Sequence, residues 1–251
     1  MHRYFEINEN GHNIRCKIYC HDLKDIRRIV LFAHGFGGHK DNGAAEKFAL
    51  RLITKYKDSA MVTFDWPGHG EDVKKSFHLE DCMIYLRTVL EYVCQKYQTN
   101  EIYSYATSFG AYLTLKYINE NGNPFKKIVL RCPAVNVYDE MRTTIMSPND
   151  YERLEKGKVV PVGFDRKVMI EMSLLEEMKV NDIQQLDFID YADDILIIHG
   201  TEDEIVAFDV VRDFAENNVI EFAPVEGADH RFRNERKMDT AIKMIFDFYA
   251  L

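Results

Sequence analysis

Five short, predominantly apolar runs, at 29–33, 60–64, 102–106, 128–132 and 195–198, constrain this chain more than any other feature. Such runs suit strands buried on both faces of a parallel sheet, because a strand with one wet face alternates apolar and polar residues instead. Between them the period changes from 2 to 3.6. Ala45, Phe48, Ala49, Leu52 and Ile53 form one stripe within 44–56, and Cys82, Leu86, Val89, Leu90 and Val93 form another within 79–97. Further helices are expected over 109–119, 206–216 and 235–249, and a further strand over 220–222. At the start, strands at 4–7 and 14–20 flank Asn10-Gly11, a hairpin turn by composition. Strands and helices alternating at this spacing imply an α/β fold built on a mostly parallel, doubly wound sheet.

The alternation fails from 134 to 190. That segment holds an expected turn at 147–150, a short hairpin over 158–163 and helical periodicity between 165 and 179. It reads as a cap inserted over the sheet, so that 1–133 and 191–251 form the core and 134–190 the insertion.

Open α/β sheets place their sites beyond the C-terminal ends of the strands. Ser108 stands there, in Ala106-Thr107-Ser108-Phe109-Gly110, at a direct passage from strand to helix. A serine on so tight a turn presents its hydroxyl outward beside helix N-terminal amides, as an activated nucleophile requires. A hydroxyl needs a base that works near neutral pH, and His230 is chemically suited. The base needs an acceptor to fix its tautomer, and Asp203, after the run at 195–198, is the best placed. Asp229 adjoins His230 but points elsewhere, and Asp193 and Asp194 precede their strand. Singly, each of these residues reads as a turn former or a cap. Together, in the order Ser, Asp, His and each after a strand, they read as a triad.

Two glycine-bearing loops follow other strands. In His34-Gly35-Phe36-Gly37-Gly38 the backbone can approach a ligand closely, and the amides of Phe36 and Phe109 are candidates for an oxyanion hole. His34 reads as a brace for this loop. Asp65-Trp66-Pro67-Gly68-His69-Gly70 reads as structural, with His69 on the wrong side of Ser108 for the base. Neither loop is a nucleotide cradle, since no G-x-x-x-x-G-K-[ST] or G-x-G-x-x-G is present. His34, His69 and His199 are too scattered to argue for zinc. No metal and no cofactor are expected.

Composition narrows the partners. The formal net charge is -9 and no basic cluster exceeds Lys126-Lys127 or Arg27-Arg28, which argues against nucleic acid. The acidic balance disfavours anionic substrates unless charge near the pocket reverses it. No apolar run approaches the ~20 residues of a membrane span, and residues 1–6 lack the apolar core of a signal peptide. The five cysteines, Cys16, Cys20, Cys82, Cys94 and Cys132, fit no zinc spacing and read mostly as buried thiols of a reducing, cytoplasmic setting. Whether the chain is a monomer or a homodimer is not legible.

On these motifs the chain resembles the α/β-hydrolase superfamily over essentially its full length. The stretches that carry the resemblance include His199-Gly200-Thr201-Glu202-Asp203 and Gly227-Ala228-Asp229-His230 beside those above. The subgroup looks like small bacterial carboxylesterases that include feruloyl (cinnamoyl) esterases, with serine aminopeptidase-like and monoacylglycerol-lipase-like neighbours. The resemblance implies Ser108 as nucleophile, His230 as base, Asp203 as acid, the Phe36 and Phe109 amides as oxyanion hole, and a small-molecule ester as substrate. Gly35, Tyr138, Asp139 and Phe164 are the implied pocket residues, with Tyr138 or Asp139 facing an aryl hydroxyl. Ala106 departs from the usual first glycine of the elbow, and Ala207 stands where proline often follows the acid. A thioester, lipid ester or peptide substrate remains open at this stage, as does a hydrolase-like binding protein without catalysis. A dehalogenase would want a carboxylate where Ser108 stands.

Overall fold

The computed structural model describes residues 1–9, 11–72 and 76–251, the side chain of Asp72 excepted. Asn10 of the expected hairpin turn lies outside the described residues; Gly11 beside it has φ 80°. An eight-stranded sheet runs through the molecule in the order β1-β2-β4-β3-β5-β6-β9-β10. Its strands are β1 (His2–Glu9), β2 (His12–Cys20), β3 (Arg28–Ala33), β4 (Ser59–Phe64), β5 (Glu101–Thr107), β6 (Ile128–Arg131), β9 (Ile195–Gly200) and β10 (Glu221–Val225). The first two strands add an antiparallel edge, and all pairings from β4 through β10 are parallel.

Each parallel strand except the edge strand β10 is buried on both faces, as its composition demands. On one face Val30, Phe32, Met61 and Tyr105 pack with Phe48 and Leu52 of α1 (Gly43–Lys55) and Ile242 and Ile245 of α8 (Glu235–Tyr249). On the other, Leu31, Val62, Ile195 and Ile197 pack with α2 (Leu79–Tyr97), α3 (Phe109–Asn121) and α7 (Phe208–Asn217). The chain leaves β3 toward β4 on one side and returns to β5 on the other. A crevice therefore opens between the C-terminal ends of β3 and β5, where strand order reverses.

Gly110, near the start of α3, allows the helix to sit against β3. A Cβ there would lie 2.3 Å from the Ala33 carbonyl oxygen and 2.5 Å from that of His34. Both neighbours are backbone, so Gly110→Ala is expected to cost about 3 kcal/mol through forced displacement. At this chain length that lowers Tm by about 6 to 12 °C in a thermal melt. An unchanged Tm would show that α3 is free to slide.

The segment between β6 and β9 carries α4 (Val137–Glu140), one π-turn over Met141–Ile145, α5 (Pro148–Glu155), the hairpin β7 (Val160–Val162) with β8 (Val168–Ile170), and α6 (Met172–Val180). Ser147 caps α5 in a reciprocal box with Asp150, and Pro148 opens the helix. The helical periodicity expected from 165 is realised only from Met172. Val168 and Ile170 are β-branched and pair with Val162 and Val160, which draws them into a strand. β10 also runs past the expected 222 to Val225. It is an edge strand, and an edge tolerates Pro224.

Candidate active site

Ser108 sits between β5 and α3 with φ 51° and ψ -119°, a conformation glycine adopts easily and L-residues rarely. Four main-chain bonds hold it there. Its amide donates to the Arg131 carbonyl (3.1 Å), and its carbonyl accepts from Ala111, Tyr112 and Ala134 (3.0, 3.1 and 3.2 Å). Ala106 fits in place of the usual glycine because its methyl enters the core, in register with Ala33 and Leu130. Gly35 of the loop after β3 comes so close that a Cβ there would lie 3.1 Å from Ser108 Cβ and 3.6 Å from Ser108 Oγ.

The loops after β9 and β10 bring Asp203 and His230 together. His230 Nδ1 lies 2.8 and 3.0 Å from the two Asp203 carboxylate oxygens. Asp203 Oδ1 also accepts from the amides of Ile205 (2.9 Å) and Val206 (2.8 Å). Burial alone would raise the Asp203 pKa. The hydrogen bond and charge of His230, with the Val206 amide, outweigh it and hold the carboxyl below its ordinary value. The two loops are locked to each other: the His230 amide donates to Glu204 Oε2 (3.1 Å), and Gly227 N to Thr201 Oγ1 (2.8 Å). Gly200 permits this, since a Cβ there would stand 2.2 Å from the Ala228 carbonyl oxygen. Asp229 instead pairs with Arg233 at 3.2 Å.

Three other groups crowd Asp203. His199 lies 3.5 Å away and donates from Nε2 to the Val206 carbonyl (3.1 Å); burial pushes its pKa down. Glu140 of α4 is buried, and desolvation, then the nearby Asp203 charge, push its carboxyl well above the ordinary range. Donor atoms of Cys132, Asp203 and His230 lie within 4.8 Å of one another. This trio suits a metal poorly. Burial raises the Cys132 pKa well above its ordinary value, while the His230 Nδ1 nitrogen is engaged by Asp203.

The loop after β3 is braced from below. His34 is buried, donates from Nδ1 to the Gly35 carbonyl (2.9 Å), and accepts at Nε2 from the Trp66 amide (3.3 Å). Trp66 Nε1 returns a bond to the His34 carbonyl at 2.9 Å. Desolvation holds His34 neutral, and it pushes His69 down to about 4. The rings of Phe36, His69, Phe77 and Phe109 pack beneath. Gly38 N closes a turn onto the Gly35 carbonyl (2.9 Å), and Gly37 at φ 72° completes it. Among the described residues no acceptor takes the amides of Phe36 or Phe109.

Ser108 and His230 line one cleft of about 370 Å³ with Gly35, Phe36 and Phe164. Asp203 stands behind His230. Tyr138 and Asp139 are not among the lining residues, which corrects their expected place in the pocket. Tyr138 packs near Arg142 and Lys179, each 5.8 Å from its ring, and Asp139 is exposed. Ile145, Ile205, Arg131, Arg166 and Arg231 also line the cleft and were not expected there. Arg131 left one signal, a charge inside the otherwise apolar run 128–132; Arg166 and Arg231 left none.

A family model described as serine aminopeptidase, S33, matches residues 24–186. A search of curated protein sequences returns no match. Among solved structures, Est1E from Butyrivibrio proteoclasticus aligns at TM-score 0.72 and 15 % identity, covering 99 % of each chain. The same protein with ferulic acid bound aligns at 0.70 and 16 %, covering 98 % of this chain and 100 % of that one. A soluble variant of monoglyceride lipase from Saccharomyces cerevisiae, in complex with a substrate analog, aligns at 0.74 and 14 %, covering 98 % and 94 %. Identities this low speak for the fold alone. The described residues contain no helix long and apolar enough to cross a membrane.

Proposed function

We propose that this chain, which belongs to the α/β-hydrolase family described as serine aminopeptidase, S33, hydrolyses small carboxylic esters through an acyl-enzyme on Ser108. The 2.8 Å hydrogen bond by which Asp203 holds His230, a residue lining the same cleft as Ser108, carries this assignment. Ser108 Oγ attacks the ester carbonyl while His230 Nε2 takes its proton. Asp203 keeps the Nδ1 proton in place and stabilises the imidazolium. The Phe36 and Phe109 amides face the oxyanion. His230 then protonates the departing alcohol, and water repeats the sequence on the acyl-enzyme.

The cleft favours an ester over a peptide N-terminus. An ammonium group wants carboxylates, and the lining offers one, Asp165, which is bonded to Arg231. A volume of about 370 Å³ accommodates a short acyl or a single aryl group more readily than a long lipid chain. Phe36 and Phe164 offer ring contacts to an aryl ester of hydroxycinnamoyl type, the chemistry of the ferulic acid bound to Est1E.

A fluorophosphonate probe tests the assignment. Labelling of one site per chain, located at Ser108 by peptide mass spectrometry, is the expected result. A folded protein that resists labelling and hydrolyses none of a panel of acetyl, butyryl and cinnamoyl esters would show a non-catalytic relative instead.

A further inference from the structure

The chain is acidic overall, yet its cleft is not. Against a formal net charge of -9, the lining includes Arg131, Arg166 and Arg231 and a single carboxylate, Asp165. Arg231 pairs with Asp165 and cancels it. Arg166, on the turn between β7 and β8, is exposed and has no acidic partner among the described residues.

Arg131 is the telling member. It ends β6 and is only 5 % exposed. One of its terminal nitrogens donates to the Arg231 carbonyl at 3.3 Å, and its guanidinium lies 5.0 Å from the centre of the Phe232 ring. Its Nε has no hydrogen-bond partner, and no carboxylate among the described residues pairs with it. A guanidinium so far out of water without an anion is strongly disfavoured unless something else supplies the charge. The same cleft receives the start of α1. Asn42 caps that helix, the amides of Gly43 and Ala44 have no acceptor among the described residues, and a Cβ built on Gly43 would meet no atom within 4 Å. Free amides at a helix N-terminus attract an anion.

We propose that the ester hydrolysed here carries an anionic oxygen group, carboxylate or phosphate, away from the scissile bond, and that Arg131, Arg166 and the α1 N-terminus bind it. The inference rests on Ser108 being the nucleophile of the cleft. A guanidinium presents a planar fork that matches such a group, and the Nε of Arg131 has no hydrogen-bond partner.

Paired substrates test it on either side of the ester. The acyl-side pair is 4-nitrophenyl hemisuccinate against 4-nitrophenyl valerate, and the alcohol-side pair is 4-acetoxybenzoate against its methyl ester. In at least one pair the charged ester is expected to have about ten-fold or more the kcat/KM of its neutral partner, chiefly through KM, with the preference shrinking as salt rises. Arg131→Gln is expected to bring that ratio toward one. Arg166→Gln, at an exposed position, is expected to reduce it and serves if the buried substitution does not fold. Inhibition by glutarate against glycerol 3-phosphate tells the two anions apart. Ratios at or below one in both pairs, or a ratio that neither variant moves, would overturn the proposal and leave the esterase assignment standing. Failure to hydrolyse any of the four esters would instead strike the esterase assignment.

Discussion

Ser108→Ala is expected to lower kcat/KM for a 4-nitrophenyl ester by about ten thousand- to a million-fold, since loss of a nucleophile leaves only binding and oxyanion stabilisation. The fold should survive, because the contacts that fix residue 108 are main-chain bonds to Arg131, Ala111, Tyr112 and Ala134. Ser108→Gly separates activity from stability. It removes the same hydroxyl but relieves the strain of φ 51° and ψ -119°. That relief is about 1–3 kcal/mol, offset by about 0.5–1 kcal/mol of added chain entropy in the unfolded state. The inactive glycine variant should therefore melt about 2 to 4 °C above wild type for a net gain near 1 kcal/mol. Kinetics and thermal melts on the two variants check both halves. An alanine variant with wild-type turnover would place the nucleophile elsewhere.

Asp203→Asn is expected to reduce kcat about ten thousand-fold with little change in structure. The cause is a tautomer. Asp203 Oδ1 receives the Ile205 and Val206 amides, so an asparagine would keep its oxygen there and turn its NH₂ toward His230. The Nδ1 that now lies 2.8 Å from a carboxylate oxygen would face a donor and have to accept. Its proton would move to Nε2, the nitrogen needed as base. Fluorophosphonate labelling should slow along with turnover while the circular dichroism spectrum stays the same. A loss below ten-fold would mean that some other group orients His230.

What could be read from residue order follows from which forces are local. β3, β5 and β6 were legible because a strand buried on both faces must be largely apolar and these runs are short. Ser108 was legible because a strand passes into a helix with no room for a loop. Asp203 and His230 were legible through their positions after strands, though the hydrogen bond joining them depends on Gly200 and Ala228 meeting across two loops. The strand at Val168–Ile170 was not, because three residues carry no period of their own and only their pairing partners in β7 decide the matter. The cap was least legible. Tyr138 and Asp139 fall outside the cleft because α4 presents them elsewhere, which no local rule determines. Arg131 was missed for a related reason, since a lone charge at a strand end usually reaches water, and here the neighbouring loops close over it.

Ser108, Asp203, His230 and the Phe36 amide stand on turns and loops that follow strands of the main sheet, the Phe109 amide opens α3, and none lies between β6 and β9. On the proposed reading, acyl chemistry is thus delegated to one part of the molecule, while 134–190 contributes Ile145, Phe164, Asp165 and Arg166 to the wall of a cleft otherwise lined from outside it. Insertions, deletions and drift in 134–190 can retune selectivity without recreating the reactive machinery, so relatives that share the elbow and the acid–base pair should diverge chiefly in what they accept.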